Sequence, residues 1–197
     1  MAAALGFLIV AAGLAGLYFI AKAEGVDVGA ELQNVSDQIK SAAAAVTGGG
    51  DDPISIAMPI IQGFESFSER AYPDPPGSGK YSIGWGHQIQ PGEPYGPDSV
   101  IGQEEGDSLL RVDVARFYTC VTDNVTVDLT ANQKAALISF CYNVGCAAFA
   151  DSTLLRLLNQ GDYESAAAQF PQWIHSGGQI SSALQSRRAQ EQELFNA

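Results

Sequence analysis

Residues 81–87 read Tyr81-Ser82-Ile83-Gly84-Trp85-Gly86-His87. Tyr81, Ile83 and Trp85 alternate with Ser82, Gly84 and Gly86, a period of two that predicts a strand with one bulky face and one nearly bare face. A bare face lets a ligand approach the backbone, although glycines at such positions also relieve crowding or permit a bulge. His87 extends the bulky face, where a hydrogen-bonded structural histidine is a better reading than an acid–base group.

Working upstream, Ala71-Tyr72-Pro73-Asp74-Pro75-Pro76-Gly77-Ser78-Gly79 is dense in turn formers and predicts a loop, with Asp74 on an exposed bend. Before it, Ala57, Ile60, Ile61 and Phe64 fall at i, i+3, i+4 and i+7, the apolar face of a short helix whose end delivers Glu65. Pro59 argues against a long regular helix there. Downstream of Asp98 the period becomes helical. Leu110, Val114, Phe117, Tyr118 and Val121 make one stripe; Thr130 and Gln133 form a capping box ahead of Ala136, Leu137, Phe140, Cys141 and Val144, with Gly145 placed to end that helix. Ser152 caps the run Leu154, Leu155, Leu157 and Leu158, which Gly161 closes, and Ser182 with Gln185 opens a last helix running to Leu194 and Phe195. A small hairpin lobe followed by a larger helical lobe is an α+β arrangement with a cleft between the two.

The N-terminal quarter has a different character. Residues 2–21 carry no charge and are long enough to cross a bilayer as a helix, so 1–23 is read as a transmembrane anchor. A cleaved signal peptide competes, because Ala21-Lys22-Ala23 has the small-x-small form of a cleavage site, but the segment lacks the usual leading Lys or Arg. Its glycines and alanines make it only moderately hydrophobic, which suits a helix that inserts weakly and can later leave the bilayer. Lys22 alone gives the positive-inside rule almost nothing to count. Val28, Leu32, Val35, Ile39, Ala42 and Val46 then form a heptad seam, a surface for packing on the same chain or for self-association through 28–46. Thr47-Gly48-Gly49-Gly50-Asp51-Asp52-Pro53 reads as a linker, so 24–53 is assigned to helix plus linker and 54–197 to the folded domain.

Bulk properties exclude several classes of function. A net charge of −12 with ten Lys and Arg leaves no basic stripe for nucleic acid. Three cysteines without CxxC spacing and only two histidines make a zinc site a poor reading. With an odd number of cysteines at least one thiol is free, and Cys141, on an apolar helix face, is read as a buried inert one.

With these segments in place, the chain resembles the phage-type lysozyme (endolysin) family, glycoside hydrolase family 24, from about Ile56 to Phe195. The resemblance rests on Phe64-Glu65, Ala71-Tyr72-Pro73-Asp74 and Tyr81 to His87. It extends to Ser139-Phe140-Cys141-Tyr142-Asn143-Val144-Gly145, Ser152-Thr153-Leu154-Leu155, and Arg187-Arg188 with Glu191. It implies the lysozyme-like α+β fold and cleavage of the β-1,4 bond between N-acetylmuramic acid and N-acetylglucosamine in peptidoglycan, without a cofactor.

The resemblance further makes Glu65 the general acid, Asp74 the carboxylate that holds the attacking water, and Ser82 the hydroxyl that helps to position it. Tyr72, Gly84, Gly86 and Asn143 would line the substrate groove, although Asn143 also suits a turn cap. Ser82 departs from the family's usual threonine, Ser66 from the glycine that usually follows the acid, and the loop before Ser82 is longer. Arg187 and Arg188 read equally well as partners of surface acids, Glu191 among them at helical spacing. Breaking a glycosidic bond needs one protonated and one ionised carboxyl at the same pH, which an apolar helix end for Glu65 and a polar loop for Asp74 would separate. Implied settings are host lysis from the inner membrane, with a periplasmic catalytic domain, or wall penetration from a virion. The alternative is a lysozyme-fold structural or wall-binding protein without catalysis.

Overall fold

A computed structural model describes residues 52–197 of the chain, so the anchor assigned to 1–23, the heptad seam at 28–46 and most of the linker lie outside the described residues. Helix α1 (Pro53–Phe64) starts at Asp52, whose carboxylate accepts from the backbone N–H groups of Ile54 and Ser55, and it buries Ile54, Ala57 and Ile61. Pro59 does not break it, contrary to the sequence expectation. Ser55 and Pro59 are both exposed, so the carbonyl deprived of its usual donor lies on the wet side of the helix.

Three strands follow: β1 (Ser68–Pro73), β2 (Tyr81–Gly84) and β3 (His87–Gln88), antiparallel in the order β1-β2-β3. The small lobe is thus a three-stranded sheet rather than a hairpin. Ala71, Tyr72 and Pro73, read above as loop, belong to β1, whose register shifts between Ser68 and Tyr72. That irregularity removes the alternation by which β1 would have been recognised.

The 22-residue helix α2 (Gln103–Asn124) runs from the sheet into the helical lobe and buries Leu110, Val114 and Val121 of the expected stripe. Helix α3 (Ala131–Val144) is the centre of that lobe: every residue from Ala135 to Cys141 is buried. Its ends are as the sequence indicates. Gln133 N–H donates to Thr130 Oγ1 at 3.1 Å, Thr130 N–H donates to Gln133 Oε1 at 3.0 Å, and Gly145 ends the helix at φ +86°. Around α3 pack α4 (Cys146–Ala150), α5 (Thr153–Leu158), α6 (Tyr163–Ala167), a 3-10 turn (Phe170–Gln172) and α7 (Ser182–Asn196), with an exposed hairpin of β4 (His175–Ser176) and β5 (Gln179–Ile180) ahead of α7. Ser181, one residue earlier than expected, caps α7. Phe140 of α3 meets Phe149, Phe170 and Trp173 edge-on, so the core is an aromatic cluster around one helix.

A disulfide joins Cys120 of α2 to Cys146 of α4, while Cys141 is free, buried and held protonated by that burial. No helix among the described residues is long and apolar enough to cross a membrane.

Candidate active site

Glu65 is the first residue past α1. Its backbone is already extended (φ −95°, ψ 142°), which turns the side chain away from the helix. The surroundings are not the apolar pocket expected from the helix face: Arg187 Nη1 donates to Glu65 Oε1 at 2.8 Å. Arg187 and Arg188 are not surface groups either, being 2% and 1% exposed. Arg187 Nε also donates to Glu191 Oε1 at 3.2 Å, its Nη2 donates to the Ser139 carbonyl at 3.2 Å, and its guanidinium lies 5.5 Å from the centre of the Phe64 ring. One side chain of α7 therefore fixes the end of α1 against α3.

Asp74 follows β1, and its N–H donates to the Lys80 carbonyl at 3.0 Å, closing the loop between β1 and β2. Ser82, fully buried on β2, donates from Oγ to Asp74 Oδ2 at 2.9 Å. Serine thus makes the hydroxyl–carboxylate contact despite the missing methyl group, and the longer loop still returns Asp74 to the strand.

Burial raises the pKa of the Tyr72 phenol, and the charges of Asp74 and then Glu65 raise it further, so its hydroxyl lies within the field of both carboxylates. Tyr142 of α3 is raised in turn by burial and by Glu65, and its hydroxyl donates to the Trp85 carbonyl at 3.2 Å. Glu65, Tyr72, Asp74, Ser82, Tyr142 and Arg187 therefore share one neighbourhood, assembled from α1, the sheet, α3 and α7.

The remaining expected residues separate. Gly86 is exposed at φ +94°, and a Cβ there would meet nothing within 4 Å, leaving the backbone open. Gly84 is buried; a Cβ would come within 3.3 Å of Ile101 Cδ1 and 3.4 Å of Gly106 Cα. Its bare side receives α2, a packing reason rather than a ligand-binding one. Asn143 does not cap a turn: its Oδ1 accepts from Arg188 Nη2 at 3.0 Å, and the residue lines a cavity of about 610 Å³ with Trp173, His175, Ser176, Ser181 and Leu184. Arg187, Tyr142 and this cavity were not anticipated from the sequence. The pointers were the Ser139–Gly145 motif and the Arg187–Arg188–Glu191 cluster, which identify helix faces but not their partners. His87, by contrast, is the structural histidine expected, bonded to Asp113 through Nδ1 at 2.8 Å and to Glu93 through Nε2 at 2.9 Å. Among the described residues no cluster of His, Cys, Asp and Glu is arranged to hold a metal ion.

A fold of this kind, a small sheet beside a helical lobe with Glu65 held at the end of the first helix and Asp74 held to the sheet, is that of the lysozymes. Comparison places the chain more closely: it belongs to the phage lysozyme family, whose sequence model matches residues 62–191. It is 44% identical over 138 residues to an endolysin of Bacillus phage PZA, covering 70% of this chain and 52% of the relative. It is 33% identical over 166 residues to a SAR-endolysin of Enterobacteria phage P21, covering 79% of this chain and 94% of the relative. Among solved structures it resembles the muramidase domain of SpmX from Asticaccaulis excentricus, at a TM-score of 0.64 and 33% identity over 72% of this chain and 95% of that one. The chain spans about half the length of the Bacillus phage relatives.

Proposed function

We propose that the protein is a peptidoglycan hydrolase, an N-acetylmuramidase that cleaves the β-1,4 bond between N-acetylmuramic acid and N-acetylglucosamine with inversion. The observation that carries this reading is a pair of carboxylates held differently, Glu65 by a guanidinium and Asp74 by a hydroxyl. Glu65 is the general acid. Because Arg187 can only donate, Glu65 Oε1 is committed to accepting, and the proton passed to the leaving glycosidic oxygen travels on Oε2. Asp74 takes a proton from the water that attacks the opposite face of the sugar, and Ser82 holds the Asp74 carboxylate in place for that task. Tyr72, the open backbone at Gly86, and Asn143 line the path of the glycan. No step requires a cofactor.

The assignment of 2–21 as an anchor, with the catalytic domain in the periplasm, belongs to the same proposal. It is supported by the uncharged stretch itself and by the likeness to a relative named a SAR-endolysin, 94% of which this chain covers. Assaying purified phage particles separates this setting from a virion-borne one, since a lysis enzyme is essentially absent from them.

The decisive experiment compares the full chain with Glu65→Gln on isolated peptidoglycan, following turbidity and analysing the released muropeptides. The expected result is a loss of about 10²- to 10⁴-fold in rate with reducing-end muramic acid as the parent's product. Equal rates for both proteins would refute the mechanism, an anhydro product would show a transglycosylase, and binding without turnover by either would indicate a wall-binding protein.

A further inference from the structure

Beneath the cavity wall, a fully buried arginine decides which atom of an exposed amide faces outward. Arg188 is 1% exposed, stacks at 4.9 Å over the Phe140 ring, and places Nε 2.8 Å from Glu191 Oε2. Its Nη2 donates to Asn143 Oδ1 at 3.0 Å and to Glu191 Oε1 at 3.1 Å, while Nη1, also buried, has no hydrogen-bond partner among the described residues. A guanidinium has only donors, so the Asn143 atom that meets it must be the oxygen. The NH2 branch is then the arm of the amide left free, on a residue that lines the cavity. In a chain of net charge −12, the polar lining of this cavity is Gln172, Trp173, His175, Ser176 and Ser181, each able to donate, with no Asp or Glu.

We propose that Arg188 is a positioning residue that locks the Asn143 amide with its donors toward the cavity, so that this wall recognises an acceptor oxygen of the substrate, a carbonyl or carboxylate of peptidoglycan. The inference rests on the hydrolase reading above and adds to it the polarity of a subsite and the residue that sets it. Arg188 is joined to the acid only through shared partners, Glu191 and Arg187, and touches no reacting atom.

The test uses the full chain and insoluble peptidoglycan in two forms, intact and stripped of its stem peptides. Asn143→Asp keeps an oxygen for Arg188 but turns the outward atom from donor to acceptor, and KM is expected to rise about tenfold with a much smaller fall in kcat. Arg188→Lys keeps the charge beside Glu191 but cannot span the same fork. It should raise KM as Asn143→Ala does, and the double variant should be no worse than Asn143→Ala alone. If Arg188→Lys fails to fold, Asn143→Asp decides by itself. A penalty that disappears on stripped glycan assigns the acceptor to the peptide, and one that persists assigns it to an N-acetyl carbonyl; both support the proposal. Co-sedimentation with peptidoglycan, in proteins that also carry Glu65→Gln, reads binding apart from turnover. Equal KM and equal sedimentation of Asn143→Asp and its parent would overturn the proposal while leaving the hydrolase reading intact. A parent that neither cleaves nor sediments would overturn both.

Discussion

Arg187 makes three bonds in directions only a planar fork can satisfy together, to Glu65, Glu191 and the Ser139 carbonyl. Replacing it by methionine would leave Glu191, which has no exposure, with one guanidinium instead of two and would free Glu65 to rotate. Loss of one partner from a buried ionic cluster costs about 3–5 kcal/mol, so Arg187→Met is expected to lower the unfolding free energy by that order in urea titration, with activity falling as well. Ser82 acts on a smaller scale. Its hydroxyl is the one side-chain donor to Asp74 among the described residues, and a hydrogen bond to a charged group contributes about 1.5–3 kcal/mol. Ser82→Ala should therefore reduce kcat by about tenfold to a hundredfold, whereas Ser82→Thr, which restores the family's usual residue, should stay within a few-fold of the parent. Parallel kinetics on the same peptidoglycan preparation check both.

At the scale of elements, His87 ties β3 to α2 through Asp113 and to the following loop through Glu93, while Arg116 also pairs with Asp113. Both ring nitrogens face carboxylates, so the bonds are best made by the doubly protonated ring. Burial disfavours that charge, but Asp113 and Glu93 outweigh it and raise the pKa above the ordinary 6.5. A raised folded-state value means that the clamp contributes its full stability below about pH 6.5 and loses it as pH climbs through the higher folded value. The Tm difference between the parent and Asp113→Asn should accordingly be widest near pH 6 and narrow in alkaline buffer; a difference that grows with pH would contradict the clamp. The clamp also shows what a sequence reveals and what it conceals. The capping box at Thr130 and the stop at Gly145 follow from local chemistry, so the central helix was legible, but the single strand read over 81–87 is broken: the chain turns at Trp85 and Gly86, and His87 opens β3 opposite Ile83. The partners of His87 were not legible either, since Asp113 lies 26 residues away on a helix whose rotation is fixed only by packing. The same reason hid Arg187, 122 residues from Glu65, and a register shift hid β1. The proposed catalytic carboxylates, Glu65 and Asp74, are readable as motif residues. The groups that hold them come from whichever helix the fold brings alongside.

For the whole molecule, the disulfide between Cys120 and Cys146 sets where the fold reaches its full stability. It closes a segment of 26 residues and fastens α2, the helix that carries the sheet, to the start of α4 beside the end of the core helix. Removing loop entropy from an unfolded chain of that span is worth about 3 kcal/mol on the chain-entropy account. Thiols stay reduced in a bacterial cytosol and pair outside it, so under the proposed function this contribution is gained only after the protein reaches the compartment of the wall. Cys141 does not compete for the pairing in the folded state, because burial keeps its thiol protonated and out of reach. Reduction of the full chain, or a Cys120→Ser substitution, should lower Tm by about 10 °C, given roughly 2–4 °C per kcal/mol for a domain of this size. Calorimetry with and without reductant checks this, and Cys120→Ser should be insensitive to the reductant. An equal response of the two proteins would mean that the covalent tie contributes nothing to the fold.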